Sequence, residues 1–208
     1  MLGGAFGGTA LEAIEHARLI VCADSGAEHA RRLGIPCHAI IGDLDSVTPE
    51  TLRYFEERGS EIICVPEQEH NDFEKVLEYV ALKWNGDVRI LGMTGGRADH
   101  TLSNLSVMLR YADRFANLLA MDADADYRFL TTARNRCSIE CSLGTIISLI
   151  PFGEARGIAT ENLRYPLSRE ILSLGAREGA SNVATGSPVT ISIESGALLI
   201  SVAHGFGQ

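Results

Sequence analysis

The chain has 208 residues, a formal net charge of −9 and 46% hydrophobic residues. That length allows one large domain or two small ones. The acidic balance argues against a general nucleic-acid-binding protein, which needs a basic patch. No apolar run reaches the roughly 18 residues that span a bilayer, so we expect no membrane partner. No charged segment followed by an apolar segment opens the chain, so we expect no secretory signal.

The five cysteines are odd in number and show no CxxC spacing. This usage is typical of reduced, mostly buried thiols in a cytoplasmic protein. A metal site at Cys137 and Cys141 is an open alternative, although no histidine cluster lies near them. We therefore predict a cytoplasmic location with reduced thiols.

Residues 1–121 alternate apolar strands with helical patterns. The clearest helical pattern follows Asn71, where apolar residues recur at the spacing of one helical face. Asn71 is expected to cap that helix, and Thr48-Pro49 to begin the preceding one. Strands are predicted at residues 19–23, 38–41, 61–65, 88–91 and 118–121. Strands that alternate with helices predict an α/β domain with a mainly parallel, Rossmann-like sheet and helices on both faces.

Residues 127–208 lose this alternation and show short apolar strands separated by turn residues. These strands are predicted at residues 128–131, 137–141, 145–150, 189–193 and 197–202. The sequence Glu194-Ser195-Gly196 predicts a hairpin turn between the last two strands. We therefore expect a second domain that is a small antiparallel β-sandwich.

The boundary between the two predicted domains falls at residues 121–127, where Asp122, Asp124 and Asp126 alternate with alanine. Three carboxylates at this spacing could bind a metal. They lack the glycine and the distal glutamate of a calcium loop, so a solvated linker is the favoured interpretation.

Four polar clusters each follow the carboxyl end of a strand predicted in the first half. In open α/β sheets, ligands bind in the crevice outside these strand ends, so all four clusters are expected to face one crevice. Each cluster has a structural alternative, in which its polar residues merely cap the next helix. The clusters are Asp24-Ser25-Gly26, residues 42–46, residues 67–72 and residues 95–100.

The chemistry of these clusters suits a metal and a triphosphate. Asp43 and Asp45 stand two residues apart, so in extended chain their side chains point the same way. Paired carboxylates are hard oxygen ligands for Mg²⁺, which also binds substrate phosphate. Gly95 and Gly96 would let backbone N–H groups approach phosphate before a helix. Arg97 supplies a planar fork for phosphate oxygens.

In chain order, these motifs resemble those of the thiamine pyrophosphokinases. In the first half the similar segments are Asp24-Ser25-Gly26-Ala27, Gly42-Asp43-Leu44-Asp45-Ser46, Gln68 with Asn71-Asp72, and Gly95-Gly96-Arg97-Ala98-Asp99-His100. In the second half they are Ser148-Leu149-Ile150-Pro151-Phe152, Asn162-Leu163-Arg164-Tyr165-Pro166-Leu167 and Gly179-Ala180-Ser181-Asn182. Because the resemblance covers nearly the whole chain in order, it is more specific than any single motif.

The resemblance implies the reaction ATP + thiamine → AMP + thiamine diphosphate, with Mg²⁺, in a homodimer whose active sites lie between subunits. It implies a catalytic α/β domain in residues 1–121 and a β-sandwich domain in residues 127–208 for thiamine binding and dimerisation. The general base is left open between Asp72, Asp99 and a substrate phosphate, with His70 and His100 as weaker candidates.

The resemblance also assigns roles residue by residue. Mg²⁺ would be held by Asp43, Asp45 and Asp72, which are also expected to be catalytic with Arg97 and Asp99. The nucleotide would be bound by Asp24, Ser25, Gly26, Gly95, Gly96, Arg97 and Asp99. The substrates would be contacted by Gln68, Asp72, Ser181 and Asn182, the last two from the β-sandwich domain.

Three departures from the family pattern are visible. Ser25 stands where the family usually has glycine, and Asn71 where threonine is common. The first strand looks shortened after the Met1-Leu2-Gly3-Gly4 start.

Two other functions fit parts of the sequence. A phosphatase of the haloacid-dehalogenase type would use Asp43 as a covalent nucleophile. It prefers threonine where Val47 stands and leaves the Gly-Gly-Arg sequence unexplained. A nonenzymatic nucleotide or thiamine sensor is the third possibility.

Overall fold

A computed structural model describes residues 8–95 and 97–205, with side chains from residue 12 onward. These residues divide into two compact units. The first unit contains residues 8–85 and 95–107, and the second contains residues 86–94 and 108–205. Within this part of the chain, no helix is both long enough and apolar enough to cross a membrane.

The first unit is built from helices around a small parallel sheet. Its helices are α1 (Gly8–Glu15), α2 (Gly26–Leu33), α3 (Pro49–Glu56) and α4 (Asp72–Lys83), and α5 (Ala98–Tyr111) begins in it. Its strands are β1 (Val21–Ala23), β2 (Ala39–Gly42) and β3 (Glu61–Cys64), which pair in parallel in that order. Strand β2 is buried along its length, as expected for the central strand of a sheet covered on both faces.

The two predicted helix starts in this unit are confirmed. The Asn71 side chain accepts a hydrogen bond from the Glu74 backbone N–H at 2.9 Å, which satisfies an unpaired donor at the start of α4. Thr48 caps α3 in the same way through the Thr51 N–H. The Asn71 amide also donates to the Ser103 hydroxyl at 3.1 Å, and so ties α4 to α5.

The second unit contains a large, curled mixed sheet of nine strands. Its strands are β4 (Asp87–Leu91), β5 (Asn117–Met121), β6 (Ala125–Thr131), β7 (Arg136–Ile139), β8 (Ile146–Glu161), β9 (Ser168–Ser173), β10 (Gly179–Val183), β11 (Val189–Ser192) and β12 (Ser195–Ala203). The strand order is β4-β5-β6-β12-β8-β11-β7, and β9 and β10 also pair with β8. Buried aliphatic side chains such as Ile147, Leu149 and Leu198 form its core.

The five strands predicted in the first half do not form one parallel sheet. Strands β4 and β5 do pair in parallel, but within the nine-stranded sheet. Strand β5 turns directly into β6, with Ala120 opposite Tyr127, and this antiparallel pairing joins β4 and β5 to the later strands. Hydrophobic periodicity predicts a strand equally well whichever neighbour it acquires.

The solvated linker predicted at residues 121–127 is wrong. Asp122 is only 8% exposed, and its carboxylate accepts hydrogen bonds from the backbone N–H groups of Met93 at 3.0 Å and Thr94 at 2.8 Å. Asp126 contacts the His204 ring at 2.9 Å. The side chains of Asp122 and Asp126 therefore fasten the turn between β5 and β6 to neighbouring segments of the chain.

The hairpin predicted at residues 194–196 is also wrong. Strand β11 pairs with β7 and β8, whereas β12 pairs with β6 and β8. The reason is the 16-residue length of β8, whose end pairs with β11 and whose earlier part pairs with β12. The turn therefore leads from β11, which pairs with the end of β8, into β12, which pairs with the earlier part of β8.

Gly196→Ala is expected to lower the free energy of unfolding by roughly 2–4 kcal/mol. A Cβ at Gly196 would lie 2.1 Å from the Glu154 carbonyl oxygen and 2.9 Å from the Ala155 Cα, and the residue has φ of 95°. Gly144→Ala is the matched control, because Gly144 has φ of 86° and open space around its Cβ position. Urea denaturation of both variants measures the difference. Equal losses would show that the close approach to β8 contributes nothing.

Candidate active site

Three carboxylates meet in the first unit. Asp24 follows β1, Asp43 follows β2, and Asp72 is the first residue of α4. One oxygen of each side chain lies within 4.8 Å of the others. Because β1 and β2 are parallel neighbours, their carboxyl ends place Asp24 and Asp43 on the same edge of the sheet. We call these three residues the carboxylate cluster.

The close approach of the cluster depends on Gly42, the last residue of β2. A Cβ at Gly42 would lie 2.8 Å from the Asp24 Cβ and 3.2 Å from both the Cγ and one oxygen of Asp72. Any larger side chain would push the two acids apart. The glycine before Asp43 thus creates the space in which the carboxylates converge.

Asp24 carries the clearest sign of a missing partner. It is 2% exposed, and one carboxylate oxygen, Oδ2, accepts a hydrogen bond from the Ser46 N–H at 3.0 Å. The other oxygen, Oδ1, is buried and has no hydrogen-bond partner among the described residues. Burial, together with the nearby charges of Asp72 and Asp43, raises the pKa of Asp24. A divalent cation would satisfy the unpaired oxygen and neutralise the repulsion, so the cluster fits Mg²⁺.

Asp43 and Asp72 each have a polar partner close to the cluster. The Gln68 amide donates to an Asp43 oxygen at 2.8 Å, and this bond lowers the pKa of Asp43. The Lys75 ammonium lies 3.2 Å from an Asp72 oxygen and donates to the Val65 carbonyl at 3.0 Å. Both partners hold the carboxylates in a fixed orientation.

Lys75 is a site residue that the sequence analysis missed. It is 5% exposed, which is rare for lysine unless it is paired. The sequence signal was the spacing of Asp72 and Lys75, three residues apart on one helix. That spacing is common on exposed helical faces, so only the burial distinguishes this pair.

Asp45 does not join the carboxylate cluster in this structure. The extended chain assumed between Asp43 and Asp45 is wrong, because Leu44 has a left-handed φ of 65°. The Asp45 carboxylate instead accepts a hydrogen bond from the Ser46 hydroxyl at 2.8 Å. A left-handed non-glycine residue costs about 1 kcal/mol or more, and such strain concentrates at functional sites.

Ser25 and Gly26 form the start of α2. Ser25 occupies the N-cap position but makes no side-chain cap hydrogen bond. The Asp24 side chain bonds to Ser46, so the alternative in which Asp24 caps α2 is wrong. Gly26 has open space around its Cβ position and no positive φ, so its local backbone does not require glycine.

Arg97 and Asp99 pair with each other. The Arg97 Nε donates to Asp99 Oδ1 at 3.1 Å and Nη2 donates to Oδ2 at 2.5 Å, and this pairing lowers the pKa of Asp99 to about 2. Both side chains are exposed, and within the described residues neither bonds to the carboxylate cluster. Gly95 has φ of 95°, a conformation that favours glycine. Gly96 lies outside the described residues.

Ser181 and Asn182 lie on β10 in the second unit. Ser181 is exposed and has a left-handed φ of 57°, and its backbone N–H donates a hydrogen bond to the Ser148 hydroxyl oxygen at 3.0 Å. Asn182 is buried, and its amide group bonds to both the N–H and the carbonyl of Tyr165. The Tyr165 ring is 64% exposed. Tyr165 and Asn182 line a cavity of about 180 Å³.

Comparison with known proteins identifies relatives of both halves. Residues 10–120 match the catalytic domain of thiamin pyrophosphokinase, and residues 136–198 match its vitamin B1 binding domain. Thiamine pyrophosphokinase 1 of Oryza sativa subsp. japonica is 28% identical over 205 residues, covering 87% of this chain and 77% of that protein. Thiamine pyrophosphokinase of Bacillus subtilis (strain 168) is 28% identical over 177 residues, covering 80% and 78%.

Solved structures share the fold. Thiamin pyrophosphokinase from Candida albicans superposes with a TM-score of 0.83 at 17% identity, covering 99% of this chain and 88% of that chain. Thiamine pyrophosphokinase from Bacillus subtilis gives a TM-score of 0.79 at 24% identity, covering 90% and 88%.

The match to a catalytic domain defines the chain as an enzyme of the pyrophosphokinase class. The two matched segments together span most of its length, and the chain belongs to the thiamine pyrophosphokinase family. The matches support neither the phosphatase nor the sensor alternative.

Asp24→Asn is expected to raise the metal-free melting temperature at neutral pH by about 2–4 °C, because it removes a buried charge that two neighbouring carboxylates repel. The raised pKa of Asp24 determines how the difference in melting temperature between the variant and the wild type changes with pH. Ionised Asp24 destabilises the wild-type protein fully at pH values above its raised pKa. This destabilisation disappears as the pH falls towards the ordinary pKa of aspartate, where Asp24 is protonated. The melting temperatures of wild type and Asp24→Asn therefore converge on acidification.

Calorimetry with and without Mg²⁺ measures both effects of Asp24→Asn, since the same variant is expected to lose the rise in melting temperature that Mg²⁺ gives. Asp124→Asn is the control, because Asp124 is exposed and lies in the other unit. A metal-free Asp24→Asn protein less stable than wild type would contradict the repulsion argument.

Proposed function

We propose that this enzyme transfers the pyrophosphate group of ATP to the hydroxyethyl oxygen of thiamine, giving thiamine diphosphate and AMP. The observation that carries the proposal is the carboxylate cluster with its unpaired Asp24 oxygen, in a chain of the thiamine pyrophosphokinase family. A partly buried acidic cluster of this kind suits a metal-bound triphosphate. The family supplies the acceptor, thiamine.

Asp24, Asp43 and Asp72 would hold Mg²⁺, which when bound would neutralise charge on the transferred group. Gln68 and Lys75 would keep two of these carboxylates oriented. Asp45 stays a proposed ligand on the strength of the family resemblance. Its charge also contributes to the raised pKa of Asp24, which supports a position near the cluster.

Arg97 would bind phosphate oxygens of the nucleotide. Its Nε and Nη2 already donate to Asp99, which fixes the plane of the guanidinium. The remaining N–H groups stay available for phosphate, as a planar fork allows. Gly95 and Gly96 would bring backbone N–H groups to the same phosphates, and Ser25 with Gly26 would contribute the start of α2.

The low pKa of Asp99 makes it a weak acceptor for the thiamine hydroxyl proton. Asp72 and a substrate phosphate oxygen are therefore the better candidates for the general base. Alignment and charge neutralisation are expected to supply most of the catalysis, as in other phosphoryl-type transfers.

The thiamine side of the site would come from the second half of the chain. Ser181 is exposed, and Asn182 holds the backbone of Tyr165, whose ring would offer an aromatic face to a cationic substrate. We propose residues 1–121 as a Rossmann-like catalytic domain and residues 127–208 as a β-sandwich domain for thiamine binding and dimerisation. The active enzyme would be a cytoplasmic homodimer with its sites between subunits.

Incubation of the purified chain with ATP, Mg²⁺ and thiamine tests the reaction. AMP and thiamine diphosphate, separated by chromatography, should appear in equal amounts. Reactions without thiamine and without Mg²⁺ are the controls. Release of inorganic phosphate without thiamine diphosphate, or no turnover at all, would contradict the proposal.

A mixed-dimer experiment tests the shared site. Asp43→Asn and Ser181→Tyr should each be inactive alone. Co-expression should restore roughly a quarter of wild-type activity, because half the dimers are hybrids and each hybrid has one intact site. Co-expression of Asp43→Asn with Asp72→Asn, two changes in the same cluster, should restore nothing. Absence of rescue in the first pair, with hybrids confirmed by affinity tags, would place each site within one subunit.

A further inference from the structure

A second cavity, of about 370 Å³, lies in the second unit between the end of α5, the start of β5 and the turn from β6 to β7. Three arginines line it: Arg128, Arg134 and Arg136. Among the described residues, no acidic side chain lines it. This concentration of positive charge is unexpected in a chain with a net charge of −9.

The charges in this arginine cavity are incompletely balanced. Arg134 has an acidic neighbour, with its Nε 3.8 Å from an Asp113 oxygen, and it also donates to the Ala116 carbonyl. The Nε of Arg128 is buried and has no hydrogen-bond partner in the part of the chain that the structure describes. A buried donor without a partner is destabilising, so a group that accepts a hydrogen bond from Arg128 would stabilise the protein.

The rest of the lining consists of apolar side chains, two asparagines (Asn117 and Asn135) and a cysteine. Met108, Leu118 and Leu130 are buried and present hydrocarbon to the cavity. Burial raises the pKa of the Cys137 thiol to about 11, so this thiol stays protonated at neutral pH and is a poor nucleophile. The lining therefore suits binding rather than covalent chemistry.

We propose that the arginine cavity binds a small phosphate monoester with an apolar body. Arg128 and Arg136 would hold the phosphate through their planar guanidinium groups, and Leu118 and Leu130 would contact the apolar body. The volume lies at the lower end of the range for small-molecule sites. None of these residues belongs to the proposed catalytic or thiamine-binding sets, so this binding site goes beyond the proposed reaction.

Methyl NMR of the full-length protein tests the proposal. The chain has four methionines, of which Met108 lines the cavity and Met121 does not. With ¹³C-labelled methionine methyls, phenyl phosphate should shift the Met108 signal saturably, and inorganic phosphate should do so more weakly. Met108→Leu assigns the signal. Chloride at matched ionic strength should leave it unchanged.

Substitutions test which arginines bind the phosphate. Arg128→Gln and the more exposed Arg136→Gln should each weaken phenyl phosphate binding by roughly tenfold. Arg156→Gln, an equal change of charge outside the cavity, should bind as wild type does. The proposal is overturned if Met108 does not respond, or if both cavity variants bind like Arg156→Gln. It is also overturned if the Met108 signal follows protein dilution instead, because a second copy of the chain would then cover the cavity.

Discussion

Asp43→Asn is expected to reduce kcat at least a hundredfold while leaving the fold intact. Asp43 is part of the carboxylate cluster, and replacing its charge by a neutral amide removes a hard oxygen ligand from the proposed metal site. The amide oxygen of asparagine can still accept the hydrogen bond from Gln68, so the loss should be specific to metal and phosphate binding. The melting temperature without ligand should change little or rise, since like-charge repulsion decreases.

Steady-state kinetics with ATP, Mg²⁺ and thiamine measures the effect of Asp43→Asn. Asp124→Asn provides the control, because Asp124 is exposed and lies in the other unit. Retention of more than about a tenth of the wild-type kcat, equivalent to about 1.4 kcal/mol of barrier, would rule out a metal-ligand role for Asp43.

Arg97→Lys is expected to be almost as damaging as Arg97→Ala. Lysine keeps the positive charge but has a single ammonium in place of a planar fork. Arg97 uses two nitrogens for Asp99 and has further N–H groups for phosphate. A lysine at this position cannot reproduce both sets of bonds in one plane. We expect a loss of roughly tenfold to a hundredfold in kcat/KM for ATP.

Comparison of kcat and KM for ATP in the two Arg97 variants measures how much the planar shape of the guanidinium contributes beyond its charge. Arg89→Lys serves as the control, since Arg89 pairs with Asp87 on β4. If the lysine variant keeps near-normal kinetics while the alanine variant does not, Arg97 acts only as a point charge.

The local features were predictable because they depend on residues close together in the chain. The cap at Asn71 follows from an amide oxygen three residues before an unpaired N–H. Strand positions followed from short apolar runs between turn residues, although the polar strands β9 and β10 were missed. Asp43 was predicted as a site residue because it follows a strand with a buried pattern, whereas the role of Asp72 was predicted from the family resemblance.

Which strands pair with each other was not predictable from these local sequence patterns. A strand has the same two-residue period whichever neighbour it acquires, so nothing local distinguishes β4 beside β3 from β4 beside β5. The hairpin error at residues 194–196 has the same origin, because the length of β8 decides which strands it pairs with. The burial of Asp122 depends on two N–H groups almost thirty residues away.

The sequence by itself determined the family, the order of the motifs and the strand ends at which the acids stand. Only the tertiary structure decided which acids converge. It brought Asp24 to Asp43 and Asp72, with Gly42 allowing their close approach, and left the Asp45 carboxylate outside the cluster. The physical reason is that the cluster is formed by side chains from two strand ends and a helix start, whose separation along the chain does not fix the distances between them.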